Sequence, residues 1–203
     1  MDEQQYETRI QIDEPIIKKY LYGSRVYGCN TEYSDFDYIA VVKSDEDLYY
    51  SVITEEENIT VYSESMFIKR IQEHHISALE CIFQDKDDEY LKYFSLDLEK
   101  LRKSISAVSS NSFVKCKKKL AQGEYYIGRK SLFHSLRILG FGIQIAIYGE
   151  IVDYSAYNHY LYEIMDMNSD DFTVYKERFQ PIYNMKKSRF KMLAPLDKDN
   201  RSE

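Results

Sequence analysis

Two stretches of the chain decide the fold: GSRVYG at residues 23–28 and SDFDYIAVV at residues 34–42. The second stretch begins with two carboxylates and continues as an apolar run, which is typical of a buried β-strand. Because side chains alternate along a strand, Asp35 and Asp37 point to the same face. The Gly-Ser pair that opens the first stretch predicts a turn whose N–H groups and hydroxyl can approach a phosphate closely.

The sequence on either side of these stretches adds further elements. Upstream, an Asp-Glu-Pro start at residues 13–15 and the apolar spacing of residues 16–21 predict a short helix. Downstream, an acidic loop over residues 44–57 leads to a second strand at residues 58–62. From residue 63 onward the apolar spacing becomes helical.

The order of these elements predicts an α+β fold rather than an alternating α/β fold. A small sheet with flanking helices occupies residues 1–100, and a helical part follows over residues 101–203. The last two helices are expected over residues 154–165 and 170–193, the second of them interrupted at Pro181.

Charge is divided unevenly between these two parts. The 203-residue chain has a net charge of −7, but residues 1–100 hold 10 Lys/Arg against 23 Asp/Glu, and residues 101–203 hold 17 against 11. An acidic part that can hold divalent cations and a basic part that can hold phosphates suit a polyanionic substrate. We therefore expect the two parts to meet across a cleft, although solvated surfaces explain the charges equally well.

Composition excludes several other classes of protein. Apolar residues at 44% and charged residues at 30% describe an ordinary globular chain. No apolar run approaches the roughly 20 residues that span a bilayer, and the start lacks the order of a signal peptide. We expect a cytoplasmic protein with no membrane partner. Cys29, Cys81 and Cys116 are odd in number and far apart, which favours free thiols over disulfides or a zinc motif.

The two deciding stretches resemble the predicted nucleotidyltransferases of the DNA polymerase β superfamily. That family's pattern is a Gly-Ser-Arg-aromatic-Gly turn followed by a Ser-Asp-aromatic-Asp strand. Residues 60–83 are similar to the family's next segment, and KSLFHSLR at residues 130–137 resembles its helical Lys-X-X-X-His-X-X-Arg signature. The resemblance covers most of residues 20–150. It implies Mg²⁺- or Mn²⁺-dependent transfer of a nucleoside monophosphate from an NTP to an acceptor hydroxyl, by in-line attack between two metal ions.

The resemblance also implies roles for individual residues. Gly23 and Ser24 would contact the triphosphate, and Asp35 and Asp37 would bind the metal and act in catalysis. Arg25 would neutralise phosphate charge, although a surface ion pair is an equal alternative for this side chain.

One position departs from the family's pattern. Members of the superfamily usually carry a third carboxylate on the following strand, where it accepts the proton of the attacking hydroxyl. That position is Asn58, which can neither act as a base nor bind a metal strongly. Glu57, or its neighbour Glu56, is the candidate to replace it, and Glu64 is a more remote one. A glutamate that reaches the aspartate pair would favour an enzyme, whereas an inward-pointing asparagine with no acid nearby would favour a binding protein.

The helical signature places three polar side chains on one helix face, since Lys130, His134 and Arg137 are related as i, i+4 and i+7. The resemblance implies that this face binds the nucleotide, and His134 is expected to titrate near neutrality. Without the resemblance, a polar stripe on an amphipathic helix is the simpler interpretation.

The acceptor is left open between RNA such as a tRNA end, a protein hydroxyl and a small molecule. The basic C-terminal half favours RNA slightly. Basic clusters with nearby aromatic residues at 113–119 and 183–191 can bind RNA, but ordinary solvated helix faces explain them equally well. The rival hypothesis is a catalytically weakened module that binds a nucleotide or RNA, including one member of a toxin–antitoxin or defence pair. The sequence does not determine the preferred NTP or the oligomeric state.

Overall fold

The apolar run after Asp35 forms a central strand of a four-stranded sheet. The computed structural model describes residues 10–196. Its strands are β1 (Ile16–Tyr22), β2 (Phe36–Val42), β3 (Tyr49–Ile53) and β4 (Glu57–Ser63), in the spatial order β1-β2-β4-β3. β2 pairs antiparallel with β1 and parallel with β4, while β3 pairs antiparallel with β4. The parallel pairing brings the starts of β2 and β4 together at one edge of the sheet.

Two predictions for this half of the chain are wrong. Residues 16–21 lie in β1 and not in a helix, because a short apolar spacing fits either element and pairing with β2 decides for the strand. The β-branched and aromatic side chains of this segment also pack well on a sheet. The predicted loop over residues 44–57 contains β3, whose side chains alternate between exposed and half-buried.

All helices follow the sheet in the chain except the short first one, which lies between β1 and β2. They are α1 (Ser24–Tyr27), α2 (Glu64–Gln72), α3 (Ile76–Ile82), a 3₁₀ turn (Glu89–Tyr93), α4 (Leu98–Ala121), α5 (Tyr125–Tyr148), α6 (Asn158–Met167) and α7 (Phe172–Leu193). The predicted interruption at Pro181 is wrong, since α7 continues through it. Packing of the buried Phe179 and Tyr183 on either side of the proline offsets the cost of the lost backbone hydrogen bond.

The prediction of an α+β fold, with a small sheet followed by a helical part, is confirmed. One face of β2, carrying Ile39 and Val41, packs into the main hydrophobic core together with side chains from the helices. This core runs without a break across residue 100, and the division into two parts at that point stays a prediction. Cys29, Cys81 and Cys116 are free thiols, as predicted.

The 24-residue helix α5 is long and apolar enough to cross a membrane by length and composition alone. However, 78% of its most apolar stretch is buried inside the protein, where α5 contacts α4, α6 and α7. A core helix of a globular fold has the same length and composition, so this property is weak support for a membrane span.

Candidate active site

The Gly-Ser turn lies directly against the start of β2. Gly23 has φ 76° and ψ −149°, a backbone conformation that is essentially confined to glycine. A Cβ atom at this position would lie 2.3 Å from Oδ2 of Asp37. Glycine is therefore required twice over, by its dihedral angles and by its contact with the carboxylate. Ser24 follows at the N-terminus of α1 and lines the same cleft as Asp37.

Asp35 and Asp37 both line this cleft, as the alternation along a strand predicts. Asp37 pairs in register with Asn58 on β4, and Nδ2 of Asn58 donates a hydrogen bond to Oδ1 of Asp37 at 3.2 Å. Burial and the neighbouring Asp35 carboxylate raise the pKa of Asp37, whereas Lys130 and the Asn58 amide oppose this rise. The aspartate pair is thus a concentrated negative charge that a bound cation would stabilise.

The side-chain oxygen of Asn58 is buried and has no hydrogen-bond partner among the described residues. The Asn58 atom that faces Asp37 is Nδ2, so the hard anionic oxygens that the cleft offers a cation are those of the two aspartates. In residues 10–196 no three His, Cys, Asp or Glu side chains form a metal-binding cluster. This donor set nevertheless fits Mg²⁺, which uses one or two carboxylates, substrate phosphates and several waters rather than a full protein cage.

The structure does not bring Glu57 into the cleft. Glu57 pairs in register with Phe36, so it lies on the opposite face of the sheet from Asp37 and Asn58. With Glu56 it lines a separate surface groove. Glu64 accepts a hydrogen bond from Tyr90 and does not line the cleft. The β4 side chain that faces Asp37 is therefore the asparagine Asn58. A glutamate at this place would favour an enzyme and an asparagine a binding protein, so this observation favours a binding protein.

Arg25 also lies outside the cleft. Its guanidinium donates to the backbone oxygens of Ser34 and Asp35, at 2.6 Å and 3.4 Å, and stacks on the ring of Phe36 with 3.6 Å from Cζ to the ring centroid. These contacts hold the loop that carries Asp35. Within residues 10–196 no ion pair involves Arg25, and its side chain lines an adjoining surface groove.

The opposite wall of the cleft comes from the helical half of the chain. Lys130, His134 and Arg137 all line it from α5, with Lys115 from α4. The cleft encloses a volume of about 560 Å³, within the range of roughly 300–1,000 Å³ typical of small-molecule sites. The positive charge of Lys130 acts on Asp37 across the cleft. The acidic sheet and the basic helices therefore meet here.

The expectation that His134 titrates near neutrality is wrong. Burial in the cleft wall, reinforced by the positive charges of Arg137, Lys130 and Lys115, lowers the pKa of His134 well below its usual value. The imidazole is neutral at physiological pH, so it can accept or donate a hydrogen bond but adds no charge to the site.

Arg137 lies at the floor of the cleft and is only 1% exposed. Its Nη2 atom is 3.6 Å from Oε1 of Glu80, and its Cζ atom lies 3.5 Å from the centroid of the Tyr27 ring. The Tyr27 hydroxyl donates to the same carboxylate, and Asn158 donates to the Tyr27 carbonyl at 2.7 Å. Although burial opposes the charged form, Tyr27 and Glu80 raise the pKa of Arg137. This buried cluster fixes α1, and with it the Gly-Ser turn, against the helices.

Sequence reasoning missed the apolar residues of the cleft. Tyr126 and Ile127 from the start of α5, and Leu161, Tyr162 and Met165 from α6, line it beside the polar groups. Spacing along a helix shows which residues share a face, but it does not show which apolar side chains remain exposed after folding. No signal in the sequence could have singled out these five.

Comparisons with known proteins add little to this geometry. No protein-family model matches the chain, and no curated protein matches it. The structure is similar to that of a nucleotidyltransferase-like protein from Exiguobacterium sibiricum 255-15, with 11% sequence identity and a TM-score of 0.32. The likeness covers 79% of this chain and 61% of that one, so the chain spans less than two thirds of its neighbour's length. A likeness at this level shows neither a family nor an activity.

Proposed function

We propose that the protein is a Mg²⁺-dependent nucleotidyltransferase that moves a nucleoside monophosphate from an NTP to an acceptor hydroxyl. The observation that carries this proposal is the aspartate pair, which faces Lys130 across one cleft and touches the Gly-Ser turn. Nucleotidyl transfer needs these groups together, because a triphosphate must be held with its α-phosphorus exposed next to a divalent ion.

Each group has a defined part in this reaction. Backbone and hydroxyl groups of Gly23 and Ser24 hold the β- and γ-phosphates. Asp35 and Asp37 would hold the ion, which when bound would neutralise charge on the triphosphate and on the leaving pyrophosphate. Lys130 supplies a further positive charge from the opposite wall. The acceptor oxygen forms a bond to the α-phosphorus while the bond from the α-phosphorus to the bridging oxygen breaks and releases pyrophosphate.

The acceptor proton passes to water, because the one carboxylate of β4, that of Glu57, lies on the face of the sheet away from the cleft. Positioned acids and bases contribute roughly 10²- to 10⁴-fold to a rate, so transfer is expected to be slower than in an enzyme with three carboxylates. The same observation at Asn58 favours the second candidate, a module that binds a metal–nucleotide complex without transferring it. The two candidates share the binding site and differ only in turnover.

We place RNA first among the possible acceptors. Lys115 lines the cleft and also an adjoining surface groove that contains Lys118 and Lys119. A backbone of phosphates lying along this groove would bring a strand end to the cleft, and the positive charges complement it. Lys119 is already ion-paired with Glu124 at 2.7 Å, which leaves Lys115 and Lys118 as the main phosphate contacts.

The test is incubation of the purified protein with each α-³²P-labelled NTP, Mg²⁺ or Mn²⁺, and cellular RNA or protein. The control is the variant Asp35→Asn/Asp37→Asn, which keeps side-chain size and removes both charges. Label transferred by the parent and not by the control supports the enzyme and names the nucleotide and the acceptor class. Metal-dependent NTP binding in calorimetry without any transfer supports the binding module instead.

A further inference from the structure

The cleft has an apolar wall beside its charged one. Tyr126, Ile127 and Tyr162 line the cleft and are 61%, 41% and 56% exposed, although side chains of this kind usually contribute to a core. Met165 lies one turn beyond Leu161 on α6 and lines the same wall. Among the described residues, neither tyrosine ring is stacked on another aromatic ring. Large apolar side chains left open inside a cleft indicate a ligand with apolar faces.

Lys130 lies where the charged and the apolar walls meet. Its ammonium group is 5.6 Å from the centroid of the Tyr126 ring, and its charge also acts on Asp37. A ligand that contacts the aspartate pair through a metal and passes Lys130 therefore reaches the apolar wall with its far end. A ligand of this shape is charged at one end and flat and apolar at the other.

We propose that this apolar wall, formed by Tyr126, Ile127, Tyr162 and Met165, binds the nucleobase of the NTP by stacking and selects weakly among bases. The inference rests on the proposed function and specifies its substrate. The triphosphate belongs to the charged wall, and the base is the only part of a nucleotide with extended apolar faces. Every base has such a face, so stacking on tyrosine tolerates all four.

The same wall explains why selection is weak. Discrimination between bases depends on donors and acceptors that meet the base edge and are left unpaired by the wrong base. The two tyrosine hydroxyls are the only polar side-chain groups on this wall, and both tyrosines are more than half exposed, so water can replace a missing partner. The area of the stacked base then determines the order of affinities, so the larger purines bind more tightly than the pyrimidines.

The experiment compares nucleotides with a ligand that has no base. Calorimetry would measure the Kd of Mg²⁺ complexes of the non-hydrolysable α,β-imido analogues of ATP, GTP and UTP, and of inorganic tripolyphosphate. The variants are Tyr162→Leu and, separately, Tyr126→Leu, so that the failure of one to fold leaves the other. The matched control is Tyr148→Leu, since Tyr148 is also 61% exposed on α5 but does not line the cleft.

We expect the ATP and GTP analogues to bind within about threefold of each other and the UTP analogue to bind more weakly. Tripolyphosphate should bind about 5- to 150-fold more weakly than the ATP analogue, which is the contribution of one stacked base. Each tyrosine variant should bind the ATP analogue about tenfold more weakly than the parent and tripolyphosphate with the same Kd as the parent. Tyr148→Leu should bind both ligands as the parent does.

Three results would overturn the inference while leaving the proposed function intact: tripolyphosphate binding as tightly as the ATP analogue, tyrosine variants that bind the ATP analogue like the parent, or a preference above about 30-fold between ATP and GTP analogues. If neither tripolyphosphate nor any nucleotide binds in a way that Asp37→Asn abolishes, the proposed function fails and this inference fails with it.

Discussion

Replacing Asn58 with aspartate inserts the carboxylate that the cleft lacks, with almost no change in shape. In the parent protein the Asn58 amide donates to Oδ1 of Asp37 at 3.2 Å. The variant Asn58→Asp loses this donor and sets a third negative charge beside two others. Without metal the variant should therefore be less stable than the parent. With Mg²⁺ this difference in stability should become smaller or change sign.

The size of the effect follows from this geometry. A hydrogen bond to a charged group contributes about 1.5–3 kcal/mol to stability. Two like charges about 4 Å apart repel by about 4 kcal/mol at an effective dielectric constant near 20. Protonating the new carboxyl limits the total, because holding an aspartate neutral at pH 7 costs about 4 kcal/mol. Since the cleft is open to water, we expect a net loss of about 3 kcal/mol, which lowers Tm by about 6–12 °C in a chain of this length.

The assay is thermal unfolding of parent and variant in EDTA and in 10 mM Mg²⁺. A ligand present at 100 times its Kd stabilises a protein by about 2.7 kcal/mol, so Mg²⁺ should restore most of the lost stability in the variant and raise the parent's Tm far less. Asn184→Asp is the control, because it adds the same charge at an exposed position of α7. Equal Tm values for parent and variant in EDTA, with equal responses to Mg²⁺, would refute the placement of Asn58 beside a cation site.

The same variant separates the two candidate functions. If the parent is an enzyme that lacks its general base, Asn58→Asp should raise the transfer rate by roughly 10²- to 10⁴-fold. A variant that gains Mg²⁺ affinity and still transfers no label would show that the cleft binds nucleotides without reacting them.

Other substitutions test the surroundings of the site. Gly23→Ala should cost about 3 kcal/mol in urea unfolding and abolish Mg²⁺ binding in calorimetry, because its Cβ meets Asp37; Gly28→Ala, at φ 68° with open space around it, should cost about 1 kcal/mol and leave Mg²⁺ binding unchanged. Arg137→Met should lower the free energy of unfolding by about 3–5 kcal/mol, because it leaves Glu80 buried and unpaired. Adding Glu80→Gln should recover most of this loss, and a double variant whose loss equals the sum of the two single losses would contradict the pairing. Burial lowers the pKa of Lys186 to about 8, so between pH 8 and 10.5 the unfolded chain binds more protons than the folded one and stability rises with pH. Lys186→Met lacks this rise, and after discounting for solvent screening the variant should be more stable than the parent by about 1 kcal/mol at pH 7 and by about 0.3 kcal/mol at pH 10. A difference in free energy of unfolding that is the same at the two pH values would contradict this.

The sequence predicted the elements that short-range physics determines. Two aspartates two residues apart on an apolar strand share a face whatever the rest of the chain does, and both line the cleft. Lys130, His134 and Arg137 share a helix face for the same reason, and that face lines the opposite wall. The meeting of the two walls was predicted from charge alone.

The failures occurred where tertiary contacts decide. Glu57 precedes Asn58 by one residue, and a shift of one residue along a strand moves a side chain to the other face. Arg25 donates its hydrogen bonds to the Ser34 and Asp35 carbonyl oxygens, and these contacts depend on how the loop folds back. The pKa of His134 depends on burial and on charges from two helices, neither of which a single sequence displays.

The helix α5 joins binding and positioning in one element. Lys130 lies near its open end, between the aspartate pair and the exposed Tyr126 ring. Arg137 lies two turns further on, where burial is complete, and contacts Tyr27 and not solvent. Because Tyr27 belongs to the same short helix as Ser24, any shift of α5 that moves Arg137 also moves the Gly-Ser turn. The two charged walls are thereby held at a fixed separation, which a site that positions a triphosphate between them requires.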